Sequence, residues 1–190
     1  MKNIEGTTIG RGDTQRLPII PGTYPAHVTD LAVAEYNGNF VYNLTFKIAP
    51  EVEKIVIDKM VVEDGELVKV TDSEGNSQKI NATYLSGKQF RNSGVWLTPN
   101  PEDSEKWKNR KYKHFFESLG VIFDTDESEN TVLGAVEETD VRGLPCLVKI
   151  MREEYQKDGM TKHAWKVNQV YPWQNGNKLT EQELDVEVPF

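Results

Sequence analysis

The clearest pattern in the chain is an alternation of apolar and polar residues from Asn39 to Ile48. Its apolar positions are Phe40, Tyr42, Leu44, Phe46 and Ile48. Successive side chains of a strand point to opposite faces, so this pattern predicts a strand with one face on a core. The other face is free for water or a ligand. Asn37-Gly38 is a strong two-residue hairpin signal and predicts pairing with a first strand over 23–33.

Residues 50–81 do not continue this pattern and predict an insertion of exposed hairpins. Two short strand-like runs in it are separated by Asp64-Gly65, a turn signal. The next long strand is predicted over 87–97, and Gly94 inside it predicts a bulge or a sharp bend.

A helix is predicted after Pro99 and Pro101, with Asp103 or Ser104 as its cap and Leu119 as its end. Its apolar stripe consists of Tyr112, Phe115, Phe116 and Leu119. Two further strands are predicted over 144–155 and 161–173, joined through Asp158-Gly159.

The order is therefore three strands, one helix and two strands, which is the order of an OB-fold. We predict a mainly β protein: a five-stranded OB-fold barrel with one helix between strands 3 and 4 and a β-hairpin insertion. Another small barrel or sandwich remains the alternative, because strand order in space cannot be read from one sequence. The predicted organisation is a flexible N-terminal arm (1–21), the barrel domain (22–173, with the insertion at 50–81), and a linker with an acidic C-terminal tail (174–190).

Charge at first argues against a nucleic-acid partner, because the net charge of the 190 residues is -8. Its distribution changes that picture. Residues 124–140 hold seven acids and no lysine or arginine, whereas 106–113 hold five basic residues. Acidic and basic residues are segregated, so a positive face is compatible with the negative total.

Three other features bound the function. No apolar run reaches the roughly 18 residues of a membrane helix, and the N-terminus lacks a signal-peptide pattern. Cys146 is the single cysteine and is expected to pack as a small hydrophobe. A reducing cytoplasm is the expected location.

Single-strand binding needs a cationic groove for phosphates and flat rings for bases. The predicted strands interleave both kinds of side chain. The candidate ssDNA-binding residues are Lys47, Lys88, Arg91, Trp96, Lys149, Arg152, Tyr155, Lys162 and Lys166. Alternation places Lys149 and Lys166 on one outer surface and turns Trp165 toward the core. Tyr155, Trp96 and Phe90 are then the preferred rings for base stacking.

The basic residues of the predicted helix form a second cluster. A charged outer face is the usual fate of a helix. The alternatives are a DNA path past the helix, or contact with the protein's own acidic tail.

Signals for catalysis are weak. The three histidines do not share a metal-ligand spacing, and no phosphate-binding loop ends in Gly-Lys-Ser/Thr. The acidic loop 124–129 could serve a metal-dependent nuclease, but it lacks the turn glycine of an EF-hand. We therefore expect a protein without catalytic residues, metal site or cofactor, and keep a metal-dependent nuclease or recombination enzyme of a phage replication module as the alternative.

The chain ends in an acidic run followed by Pro189 and a C-terminal Phe190. A free carboxylate and an aromatic ring on an acidic segment are suited to docking on a partner protein. The candidate partner-binding residues are Asp185, Glu187, Val188, Pro189 and Phe190. This end resembles the C-terminal tip of the single-stranded DNA-binding proteins (SSBs) of bacteria and their phages. The resemblance is more specific over 181–190 than over 22–173, and Val188 stands where isoleucine is commoner.

The resemblance implies a protein that binds and protects single-stranded DNA without strong sequence preference. It also implies action in DNA replication, recombination or repair, with recruitment of replication and repair proteins through the tail. No membrane partner is expected, and the oligomeric state stays open, a homo-oligomer being one option.

Overall fold

The computed structural model describes residues 17–185. Within that range the strands, numbered in chain order, are β1 Gly22–Tyr36, β2 Asn39–Ile48, β3 Val56–Asp58, β4 Met60–Glu63, β5 Glu66–Lys69, β6 Lys79–Asn81, β7 Gln89–Asn92, β8 Val95–Leu97, β9 Asp124–Thr125, β10 Thr131–Val132, β11 Pro145–Lys157 and β12 Met160–Pro172. The α-helices are α1 Lys106–Ser118, α2 Glu138–Val141 and α3 Glu181–Leu184, and short 3-10 helices span Pro50–Lys54 and Ala82–Leu85.

Five strands close into a barrel in the order β1-β2-β7-β12-β11, with β11 returning to β1. The β7–β12 pair is parallel and the other pairs are antiparallel. Helix α1 lies between the third and fourth barrel strands in the sequence. This arrangement confirms the predicted mainly β, OB-fold barrel.

The inner face of the barrel carries the core that alternation predicted. Tyr42, Leu44, Phe46 and Ile48 are all buried, as is Cys146. Burial raises the pKa of the Cys146 thiol, which fits its predicted role as a small apolar side chain.

Helix α1 closes one side of this core with its predicted apolar stripe. The Tyr42 ring lies 5.0 Å from Tyr112 and 5.5 Å from Phe116, between centroids. The Tyr112 hydroxyl donates to the Gly134 carbonyl at 2.9 Å and accepts from the Val136 amide at 3.1 Å. The aromatic cluster thereby also anchors the loop that precedes α2.

The predicted strand 87–97 is divided into β7 and β8 at Ser93-Gly94. Gly94 has φ +88, which favours glycine, and a Cβ there would lie 3.0 Å from Val41 Cγ1. The break turns β8 while both pieces stay paired with β2. The predicted irregularity at Gly94 is confirmed.

The insertion forms two small ribbons, β3 with β6 and β4 with β5. Asp58 pairs with Lys69 at 2.7 Å and also with Lys79. These two hydrogen-bonded cations lower the pKa of the Asp58 carboxyl to about 2. The ion cluster joins β3, β5 and β6, and Ile57 of β3 packs against the main core.

Helix α1 begins later than the sequence predicts. Its first residue is Lys106, and the capping position is Glu105, whose side chain makes no capping bond. Asp103 instead pairs with Lys106 at 2.6 Å between Oδ1 and Nζ. The predicted cap residues thus lie before the helix, and Asp103 forms an ion pair with the first helical residue, Lys106.

The C-terminal segment, residues 174–185, differs from the predicted linker because it packs on the barrel. Thr180 and Glu183 form a capping box that starts α3. Leu184, in a stretch predicted to stay out of the core, is buried. Its apolar side chain and the local capping bonds provide the physical reason for the difference.

At the other end, residues 17–21 also contact the body of the protein. Ile20 is buried, and the Tyr84 hydroxyl donates to the Pro18 carbonyl at 2.9 Å. The rest of the predicted N-terminal arm, residues 1–16, lies outside the described residues. Among residues 17–185, none of the helices has the length and apolar character needed to cross a membrane.

Candidate nucleic-acid interface

The outward side chains of β2, β7 and β12 form a surface that we call the barrel face. Its centre is defined by register: Arg91 on β7 lies opposite Thr45 on β2 and Lys166 on β12. Phe90 and Asn92, which flank Arg91, are buried, so Arg91 points outward. The pairing of β7 with β12 therefore brings two predicted DNA-binding cations side by side.

Lys149 extends this surface onto β11. Met151 lies opposite Lys166, and Lys149, two residues earlier, shares its outward parity. The predicted common outer surface of Lys149 and Lys166 is thus present. The β11–β12 register shifts by one residue between Lys149 and Ile150, which leaves Asn168 without an opposite residue.

The central cations of this surface have no ion-pair partner among the described residues, although Glu153 on β11 shares the outward parity of Lys149. Arg91, Lys149 and Lys166 form no ion pair with any acid of residues 17–185, and the same holds for Lys88 and Lys162. Unpaired cations on adjacent strands raise the local potential and are available to phosphate groups.

Lys47 marks the end of the barrel face that the C-terminal segment approaches. Its Nζ donates to the Leu184 carbonyl at 3.3 Å. A largely apolar cavity of about 330 Å³ lies beside it, lined in part by His27, Lys47 and Leu184. Lys47 is therefore shared between the barrel face and the C-terminal segment.

His27 connects the same segment to β1. Its Nε2 lies 3.1 Å from the Asn177 carbonyl, and its ring lies 5.5 Å from the Trp173 ring between centroids. Burial lowers the pKa of His27, although the Asn177 carbonyl and the carboxylates of Glu51 and Glu183 act in the opposite direction. The buried ring thus favours the neutral form.

Aromatic side chains lie at the opposite end of the barrel face. Trp96 on β8 faces Val41 on β2, and its ring makes an edge contact with Tyr36 at 6.4 Å. Tyr36 is 64% exposed and was not among the predicted site residues. Its position directly before the Asn37-Gly38 turn is the sequence signal that could have placed it beside the face.

The β11–β12 hairpin extends beyond the barrel and carries two more predicted residues. Tyr155 lies opposite Lys162 and has the outward parity of Lys149. The Tyr155 side chain is 45% exposed. A ring and a cation therefore lie together on the hairpin, on the side continuous with the barrel face.

The structure does not bring Arg152 to this side. Arg152 lies opposite Trp165 with the parity of buried Ile150, and Trp165 packs against the core as predicted. The Arg152 guanidinium donates to the Gly65 carbonyl at 3.0 Å and lies 4.0 Å from Glu66. It joins the tip of the β4–β5 ribbon to the β11–β12 hairpin.

Two other predicted residues occupy less favourable places. Lys88 is half-buried in the turn before β7, where its carbonyl accepts from the Ile48 amide at 2.9 Å. Phe90 is 5% exposed within the core, so its expected role in base stacking is wrong. A side chain must point outward to stack on a base, and on β7 the neighbouring residue Arg91 points outward instead.

In the acidic loop, the Asp126 carboxylate stabilises a turn. Asp126 accepts from the amides of Ser128 and Asn130, each at 2.8 Å, and these bonds lower the pKa of its carboxyl. Within residues 17–185, no group of three or more histidine, cysteine or acidic side chains is arranged to hold a metal ion.

Of the predicted partner-binding residues, Asp185 is described and Glu187, Val188, Pro189 and Phe190 lie outside the described range. Asp185 Oδ1 lies 3.8 Å from Arg142, whose Nε is also 2.9 Å from Glu181 Oε2. Arg142 thus holds the base of the tail against the loop between α2 and β11.

Comparison of the chain with known proteins gives no assignment. No protein-family model matches it, and no curated protein matches it significantly.

Proposed function

We propose that this protein binds single-stranded DNA on the barrel face and on the outward side of the β11–β12 hairpin. The observation that carries the proposal is the row of outward cations on β7, β12 and β11, which have no acidic partner in the described chain. Phosphates of a nucleic-acid backbone are the counter-charges that such a row fits.

Aromatic rings at both ends of this row favour a single strand over a duplex, because Tyr36 and Tyr155 are exposed and Trp96 is half-buried. Trp96 and Tyr36 lie at one end, and Tyr155 lies at the other. Unpaired bases can stack on such rings, and because every base has a π-face, this stacking tolerates any sequence. A duplex keeps its bases inside and offers phosphates alone.

The proposed biological role is coating and protection of single strands in replication, recombination or repair. A fluorescence titration with oligo-dT and a duplex of equal length, across a salt series, tests the binding. We expect clear preference for the single strand and a log-log salt slope near -0.7 for each phosphate neutralised. Equal affinity for duplex and single strand, or an affinity independent of salt, would contradict the proposal.

We further propose that the tail recruits replication or repair proteins through Phe190. The motivation is the acidic run that leads to Pro189 and the aromatic Phe190. Phe190→Ala removes the apolar anchor and keeps the acids, so it should abolish partner capture without changing DNA affinity. A pull-down of purified host replication proteins beside a DNA titration measures both. Unchanged capture by Phe190→Ala would refute this role.

A further inference from the structure

A second groove lies between helix α1 and the strands β8 and β12. Its volume is about 630 Å³, and we call it the α1 groove. The helix contributes Trp107, Lys108, Lys111, His114, Phe115 and Ser118. The sheet contributes Trp96, Asn168, Gln169 and Tyr171, among others.

The helix wall combines a ring with cations. Trp107 is 46% exposed, and the Lys111 Nζ lies 4.9 Å from the centroid of its ring. Lys108 and the exposed His114 lie on the same wall, one turn away on either side of Lys111. An exposed tryptophan next to cations provides both a stacking surface and phosphate ligands.

The sheet wall adds polar groups and another ring. Asn168 is the residue left unopposed by the register shift in β12, and its side chain is exposed in the groove. Tyr171 is 40% exposed, and its hydroxyl donates to Gln169 Oε1 at 2.5 Å. The side-chain amides of Asn168 and Gln169 can both donate and accept hydrogen bonds, so they can pair with the edge of any base in the groove.

Lys111 is the cation that the α1 groove offers to an anion, because it forms no ion pair with any acid of residues 17–185. Lys108 also lines the groove, but its Nζ pairs with Glu105 Oε1 at 3.0 Å, and the His114 ring lies 3.7 Å from Glu117 Oε2. Glu153 is the acidic residue among the described groove-lining side chains, and its Oε1 accepts from Ser93 Oγ at 2.9 Å. One unpaired cation beside the exposed Trp107 therefore suits one phosphate next to one base.

The groove is continuous with the barrel face. Trp96 belongs to both, and Asn92 and Ser93, which directly follow Arg91, line the groove. A strand bound at Arg91 can therefore pass Ser93 and Trp96 and reach Trp107 without leaving the protein surface.

We infer that the α1 groove holds a further stretch of the same bound single strand, with a base against Trp107 and a phosphate at Lys111. The inference rests on the proposed function and extends its site past the barrel. Its consequence is a binding site longer than the barrel face, so the groove contributes when the oligonucleotide is long enough to reach it.

A length series of oligo-dT, from about 4 to 30 nucleotides, tests this inference. Trp107→Ala and Lys111→Ala alter the groove, and Arg110→Ala is the matched control. Arg110 is an exposed cation on the same helix and is not among the groove-lining residues. Thermal unfolding of each variant verifies that the fold is intact.

We expect the Trp107→Ala variant to bind long oligonucleotides about 5- to 150-fold more weakly, the effect of losing one base stack. Lys111→Ala should reduce the salt slope by about 0.7. Both variants should bind the shortest oligonucleotides like the wild type, and Arg110→Ala should change neither property.

The possible outcomes separate the two proposals. If the wild type binds none of the oligonucleotides, the proposed function fails. If the wild type binds and the groove variants match Arg110→Ala at every length, the α1 groove is not on the path and the inference is overturned. Equal losses at all lengths also overturn it, because the groove would then belong to the primary site.

Discussion

The cations of the barrel face and those of helix α1 differ in whether acids of the described residues, 17–185, pair with them. On α1, Lys106 pairs with Asp103 at 2.6 Å, Lys108 with Glu105 at 3.0 Å and Lys113 with Glu117 at 3.7 Å. On the barrel face, Arg91 and Lys166 lie next to each other, and neither has an acidic partner within residues 17–185.

The difference shows that a cluster of basic residues in sequence is not a binding site by itself. Pairs three or four residues apart are ordinary helix-surface interactions worth about 0.2–0.5 kcal/mol. The barrel face instead places like charges side by side, which costs stability unless an anion binds there. Within residues 17–185, three of the five cations of the basic run 106–113 have acidic partners, whereas Arg91 and Lys166 on the strands have none.

The largest effect on DNA binding should come from the barrel face. In the double variant Arg91→Ala and Lys166→Ala, two charged hydrogen bonds are lost, each worth about 1.5–3 kcal/mol. We expect affinity for oligo-dT to fall by at least about a hundredfold, with a salt slope smaller by about 1.4. Fluorescence titration at several salt concentrations measures both quantities.

The matched control for this prediction is the double variant Lys106→Ala and Lys113→Ala. It removes the same charge from cations that have acidic partners on or beside α1. Its affinity should change by much less than that of the barrel-face variant. Equal losses in the two variants would mean that overall charge, and not position, determines binding.

A smaller effect is expected from each ring proposed to stack on a base. Tyr155→Ala should weaken binding of long oligonucleotides by about 1–3 kcal/mol if its ring stacks on a base. Trp96→Ala should have an effect of the same size, and its thermal stability must be measured because Trp96 is half-buried. Trp96 would be excluded from the stacking surface if Trp96→Ala kept all of the fluorescence quenching that saturating DNA causes in the wild type with its four tryptophans.

The barrel could be predicted because its signals are local. Alternation over 39–48 and the Asn37-Gly38 turn determine one hairpin, and both turn residues adopt the positive φ that such a turn requires, 50 and 74. The order of strands and helix then sufficed for the fold. The same parity argument correctly separated Lys149 and Lys166 from Trp165.

The missed features depend on contacts between distant segments. Arg152 shares the parity of Ile150, so alternation alone could have excluded it from the outer surface, whereas its partner, the Gly65 carbonyl at the tip of the β4–β5 ribbon, depends on a distant segment. Phe90 was predicted to face outward but lies in the core. The bend at Gly94 separates β7 from β8, so the alternation could not be followed through the whole of the predicted strand 87–97. The C-terminal segment carried a capping box at Thr180 and Glu183, but nothing local showed that Leu184 would be buried.

A still smaller effect should follow from the acidic tail. Deleting Asp185 to Phe190 removes carboxylates near Arg142 and weakens the segment whose Leu184 carbonyl accepts from Lys47. Surface charge interactions are worth about 0.2–1 kcal/mol, so DNA affinity should rise by up to about fivefold at low salt. The gain should disappear at high salt because of screening. A loss of affinity on deletion would show that the tail supports the DNA site.

The smallest effect concerns pH and the attachment of the C-terminal segment through His27. Burial lowers the pKa of His27 below its usual value of about 6.5, so the neutral ring is the form that the packed segment favours. When the segment detaches, the ring gains water and binds a proton more readily. The packed state is therefore destabilised as the pH falls through about 6.5 toward the lower pKa, and regains its stability above it.

Hydrogen exchange of the Leu179 amide, which donates to the Gly143 carbonyl at 2.9 Å, reports the attachment. We expect its protection, corrected for intrinsic exchange, to decrease between pH 7.5 and 5.5, whereas His27→Gln should abolish this dependence because glutamine can still donate to Asn177 and does not titrate. The carboxylates of Glu51 and Glu183 raise the pKa of His27, whereas burial lowers it. Protection that increases on acidification would show that they outweigh burial, and that a charged His27 holds the segment in place.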